Sequence, residues 1–138
     1  MLSMSVSHKQ RGVNKLDNRL ESGLSNGIEK SADYLKNKMT QKVESNIPPA
    51  LSPITIAKKK SSLALVDTGE MYSQIDADVQ KYSAKVGVIG SKAEIAKVHE
   101  FGYPPKNIPE RSFIRSTFNE EKSKLEKIIA SEIKKKIV

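Results

Sequence analysis

The chain has 138 residues, no cysteine, 37% hydrophobic and 5% aromatic residues, and a formal net charge of +8. That length suits one domain with a modest core, and the lack of cysteine excludes disulfides, thiolate metal sites and a cysteine nucleophile. No apolar run approaches the roughly 18–20 residues needed to span a bilayer, so no membrane partner is expected. The lysines are dispersed, with clusters at Lys58–Lys60 and Lys134–Lys136. Neither cluster is interleaved with aromatic residues, so no stacking platform for single strands is present. The charge alone therefore implies contact with DNA only by non-specific proximity.

Residues 1–10 lack an apolar leader segment and are expected to form a disordered tail. From Val13 onward, Leu16, Leu20, Leu24, Ile28, Ala32, Leu35, Met39 and Val43 follow at steps of three or four. This is the stripe of a long amphipathic helix. Gly23 and Gly27 sit beside it, each lowering helix propensity by about 1 kcal/mol relative to Ala. Either another backbone approaches closely there or the helix breaks or bends.

Asn46-Ile47-Pro48-Pro49 must end that helix. Residues 46–66 form a long connection, expected to be mobile, with a basic tip at 58–62 and a short strand at Ile54-Thr55-Ile56. An apolar run, Leu63–Val66, then enters the turn Asp67-Thr68-Gly69. Ile75, Ala77 and Val79, and after a turn near Gln80-Lys81, Tyr82, Ala84, Val86 and Val88, alternate with polar residues. That period of two predicts an antiparallel hairpin with one polar face. A short helix follows over Ser91–Phe101, with Ser91 as N-cap and Gly102 as its stop.

Residues 99–115 gather two of the three phenylalanines, three of the six prolines and one of the two histidines. Each proline fixes φ and removes a donor, so this is a shaped loop, pinned by Phe101 and Phe113 at its ends. Pro109 and Glu110 are expected in the first turn of a closing helix, where Glu110 faces the positive end of the dipole and Lys134–Lys136 the negative end. Phe118, Leu125, Ile128, Ile129 and Ile133 form its stripe. The fold class is α+β in one domain over 1–138: a long N-terminal helix, a small antiparallel sheet, a short helix with a proline-rich loop, and a C-terminal helix.

Catalytic chemistry finds little purchase. Asp67-Thr68-Gly69 after an apolar run has the logic of an aspartic-protease half-site, which shares one proton between two carboxylates. Glu70 stands where those enzymes carry a small residue, and the distance to Val86–Gly90 is too short for a barrel lobe. A turn accounts for the same three residues. His99-Glu100 lacks the second histidine of a zinc helix, so His99 is expected to be packed or hydrogen-bonded. No catalytic residue, metal site or cofactor site is assigned.

Four segments in order carry a resemblance: Leu51–Lys60 with Pro53 and Thr55; Leu65–Met71 with Asp67, Thr68 and Gly69; Ala96–Gly102 with His99 and Phe101; and Ile108–Ile114 with Pro109, Arg111 and Phe113. Together they resemble the tail-completion (neck) and virion-morphogenesis family of tailed bacteriophages, over about residues 48–118. Met71 stands where leucine is usual and Ser112 where proline is common. The resemblance implies a non-enzymatic structural protein of the virion, assembled in the bacterial host cytoplasm. It implies partners in the tail tube or head connector and self-association into a ring, usually six-fold. Arg111, between Pro109 and Phe113, is then expected to make a fixed salt bridge or a subunit contact. The alternative from another class is a DNA-binding module built on the basic loop and the C-terminal helix.

Overall fold

The computed structural model describes residues 2–5, 15–45, 47–51, 55 and 70–137. Its elements are strand β1 (Leu2–Ser5), helix α1 (Lys15–Glu44), the one-turn helix α2 (Glu70–Ser73), strands β2 (Ile75–Val79) and β3 (Ser83–Val88), helix α3 (Ala93–Phe101), a 3-10 turn at Pro104–Lys106, and helix α4 (Arg115–Ile137). The architecture is α+β: two long helices, a three-stranded antiparallel sheet and a short helix with its loop.

Helix α1 runs unbroken through both glycines. Leu24, Ile28, Ala32, Leu35, Met39 and Val43 are buried along its stripe, while Leu16 lies in solvent. The glycines are explained by α4. A Cβ on Gly23 would lie 2.7 Å from the Ile133 Cα, and one on Gly27 would lie 2.9 Å from the Ile129 Cα. One turn further on, the hydroxyl of buried Ser31 donates to the Leu125 carbonyl at 3.3 Å. Small residues four apart on α1 thus let the row Leu125, Ile129, Ile133 of α4 seat against its backbone. Numbering rises along one helix as it falls along the other, so the pair is antiparallel, with rows four apart meeting as ridges and grooves.

The sheet covers another face of α1. Its order is β1-β3-β2, with Ala77 opposite Val86 and Met4 opposite Ala84. The alternation holds in β3 but only at the start of β2. Ile75, Ala84, Val86, Val88 and Met4 enter the core and Lys85 and Asp78 face water, whereas Val79, expected inward, is 41% exposed and Tyr82 lies in the turn rather than the strand. The hairpin turn is Lys81-Tyr82, closed by the Gln80 N–H donating to the Ser83 carbonyl at 2.7 Å.

Several expectations need correction. Leu2–Ser5 is a strand paired to β3 rather than part of a disordered tail. A lone four-residue apolar–polar alternation had no partner in the sequence to reveal it. Ser91 does not cap α3. Its hydroxyl accepts from Gln74 Nε2 at 3.1 Å, and the Gln74 Oε1 takes the Lys92 N–H at 2.8 Å. The closing helix starts at Arg115, so Pro109 and Glu110 lie outside it. Thr55 is helical rather than extended. The mobile tip at 58–62, Pro53 and the turn Asp67-Thr68-Gly69 lie outside the described residues.

Candidate functional site

Ala96 and Glu100 are four residues apart on the inward row of α3, and both are buried. Glu100 is therefore a carboxylate with only 3% of its surface exposed. Its Oε2 accepts the N–H groups of Phe113 and Ile114, each at 2.9 Å. Its Oε1 accepts the Arg115 N–H at 2.9 Å, the Ser112 hydroxyl at 2.7 Å and Arg115 Nε at 3.0 Å. These amides are the unsatisfied donors at the start of α4, where the helix dipole is positive. One side chain from α3 thus caps a helix that begins fifteen residues later.

Burial pushes the Glu100 carboxyl up, but the N–H groups of Ile114, Arg115 and Phe113 and the Ser112 hydroxyl outweigh it. The net effect holds it below the ordinary glutamate value. Ser112 completes the cap by accepting the Ser116 N–H at 3.2 Å.

Around this carboxylate two arginines fix the rest. Arg115 Nη2 donates to the Glu100 carbonyl at 3.0 Å and to Glu110 at 2.9 Å. Its guanidinium lies 4.3 Å over the Phe101 ring. The bond to Glu100 chiefly raises the Arg115 pKa above its ordinary value. Arg111 is 5% exposed, and its Nε and Nη2 fork onto the Pro49 carbonyl at 3.0 and 2.6 Å. Its own N–H donates to the His99 carbonyl at 2.8 Å. Among the described residues, Arg111 is thus neither half of a salt bridge nor an exposed contact. It ties the segment after α1 to the clamp.

From this anchor a loop projects. Gly102 has φ +76°, and a Cβ there would lie 3.0 Å from the Glu110 nitrogen, so only glycine suits it. Tyr103 and Ile108 then exchange backbone hydrogen bonds of 2.8 and 3.1 Å, and Asn107 takes the left-handed conformation at φ 53°. Residues Tyr103 through Asn107 are exposed. Phe113 is fully buried, as a pin should be; Phe101 is 55% exposed and is held by Arg115 rather than by the core. Between α3 and the start of α4 opens a groove of about 390 Å³, lined by Val88, Ala93, Ala96, Phe101, Ile114 and Arg115 among others.

Of the expected site residues, His99, Phe101, Gly102, Pro109, Arg111 and Phe113 converge in this clamp. Pro53, Asp67, Thr68 and Gly69 fall outside the described residues. Glu100, Arg115 and Gln74 were not singled out. The signal for Glu100 was its spacing from Ala96 on the inward row, which a lone acid occupies only with donors to meet it. Among the described residues no cluster of three His, Asp or Glu side chains could hold a metal ion, and no helix is long and apolar enough to cross a membrane. The chain matches no protein-family model, no curated protein and no solved structure.

Proposed function

We propose that this chain is a non-enzymatic structural subunit of a phage or prophage particle that completes the top of the tail or joins it to the head connector. In this reading it closes into a ring, six-fold to match the tail tube, and meets its neighbours through the Tyr103–Ile108 loop and the exposed ring of Phe101. The observation that carries it is the sorting of residues within the clamp. Glu100, Arg111 and Phe113 are buried and committed to internal bonds, whereas Phe101, at 55%, and Tyr103, at 41%, are held outward on a fixed backbone. A rigid mount presenting aromatic rings beside an apolar groove is what a subunit contact requires. The resemblance over residues 48–118 supports the tail tube or head connector as the partners.

The test is co-sedimentation of the purified protein with tails that lack it. Binding by the native chain is expected, with a marked loss for the Phe101→Ser/Tyr103→Ser variant despite an unchanged circular dichroism spectrum. Absence of binding to tails, or equal binding by that variant, overturns the proposal. Sedimentation without tails should give a monomer or a weak associate.

A further inference from the structure

The acidic residues of α4 are nearly all engaged by other groups. Glu120 meets Lys42 at 2.7 Å, Glu121 accepts the Tyr34 hydroxyl at 2.7 Å, and Glu132 is held by Lys30 at 2.8 Å and Lys135 at 3.1 Å. Three lysines of the same helix are not. Lys124, Lys127 and Lys134 are exposed and have no ion-pair partner among the described residues. Spaced by three and seven, they stand on one side of the helix with Ser131 among them. Glu126 is the one α4 acid without a described partner. Helix α4 thus spends its negative charge on its own fold and turns its positive charge outward.

At the seam with α1 this face opens into a groove of about 410 Å³, lined by Lys30, Lys124, Lys127, Ile128, Ser131 and Glu132. Its single carboxylate, Glu132, is already neutralised by the two ammonium groups named above, which also hold its pKa below the ordinary value. The groove therefore presents the ammonium groups of Lys124 and Lys127, without an ion-pair partner among the described residues, and the Ser131 hydroxyl.

We propose that this face of α4 binds the phosphate backbone of duplex DNA without reading its sequence. Lys124 to Lys134 span about 15 Å of helix, a length over which a duplex carries about nine negative charges. Lysines on flexible stems suit phosphates whose spacing need not be matched in detail, because an ammonium acts as a point charge. The stripe between these lysines exposes no aromatic ring for stacking single-stranded bases and no large apolar side chain for insertion into a lipid surface. This proposal is independent of the assembly role, since it uses the face of the molecule built from α1 and α4 and none of the clamp.

The experiment is fluorescence anisotropy of a labelled short duplex, in two unrelated sequences, titrated with the full chain across a range of KCl concentrations. The native protein is expected to bind both sequences equally, with log K falling against log salt at a slope of about −3. Lys124→Gln/Lys127→Gln/Lys134→Gln should weaken binding about tenfold or more at low salt and flatten the slope by about 3. A charge-matched control, Lys85→Gln/Lys97→Gln/Lys106→Gln, should leave binding within about twofold. All six positions are exposed, and circular dichroism verifies that both variants fold. Equal loss in the two variants, no binding by the native chain at low salt, a preference for one sequence, or tighter binding to vesicles of anionic lipid than to the duplex each overturns the proposal.

Discussion

The two junctions that hold α4 in place are built on opposite principles. Along its length α4 meets α1 through shape: two glycines and a serine on one helix admit a row of Leu125, Ile129 and Ile133 on the other. At its N-terminus it is held by charge, one buried carboxylate gathering three backbone amides, a hydroxyl and a guanidinium. The first junction spreads its stabilisation over many weak contacts and tolerates loss of any one. The second concentrates it in one group, whose removal leaves several buried donors unpaired together.

The largest effect therefore belongs to Glu100. Glu100→Ala should destabilise the fold by about 3–5 kcal/mol, the range for breaking a buried charge network. Denaturant unfolding measures it, and a loss under about 1 kcal/mol would show that water replaces the carboxylate without penalty. Acid offers a second reading of the same group. Its carboxyl is held below the ordinary value near 4.5, so its contribution is complete above that pH. As pH falls below it, the unfolded chain takes up the proton first, and the contribution is gone once the folded carboxyl is protonated too. Urea midpoints should drop below pH 4.5 in the native chain and drop less in Glu100→Gln.

Arg111 should come next. Arg111→Met keeps the aliphatic stem but loses the paired bonds to the Pro49 carbonyl, costing about 1.5–3 kcal/mol. Gly27→Ala sharpens the contrast with the shape-based junction. In an isolated helix that change gains about 1 kcal/mol. Here the added methyl lies 2.9 Å from the Ile129 Cα, and prising the helices apart costs about 1–3 kcal/mol. A net loss of about 1 kcal/mol is expected by thermal or chemical unfolding; a gain would mean that α4 shifts freely along α1.

The same contrast governs what could be read from the sequence. The helix pair and the hairpin were legible because apolar residues repeat: steps of three and four from Leu24 to Val43, and steps of two through Ala84, Val86 and Val88. Even the glycines at 23 and 27 narrowed the choice to a close approach or a break, and the close approach is what the fold contains. The clamp does not repeat. Glu100 works through amides of Phe113, Ile114 and Arg115, and a backbone amide has no signature in sequence. The start of α4 was placed six residues early for that reason: Pro109 and Glu110 have the chemistry of a first turn, but the anion serving that turn comes from another helix. Arg111 and Phe101 exchanged places on the same account. An arginine is expected outside and a phenylalanine inside, yet a carbonyl reachable from the interior keeps Arg111 in, while the guanidinium of Arg115 lets Phe101 stay out.

That exchange yields the smallest stability effect and the most informative one. Phe101 is 55% exposed, and its chief fixed contact is the Arg115 guanidinium 4.3 Å above the ring. An exposed pair of this kind contributes about 0.5–1 kcal/mol, far below the 3–5 kcal/mol of a buried phenylalanine truncated to alanine. Phe101→Ala should therefore unfold within about 1 kcal/mol of the native chain, and Arg115 should remain in place through Glu100 and Glu110. Under the proposed assembly role a neighbour completes the ring's burial, so the same variant should lose tail binding while keeping its stability. A loss of 3 kcal/mol or more by equilibrium unfolding would place Phe101 with the core, and the outward face of the clamp would then have no aromatic left beside Tyr103 to offer a partner.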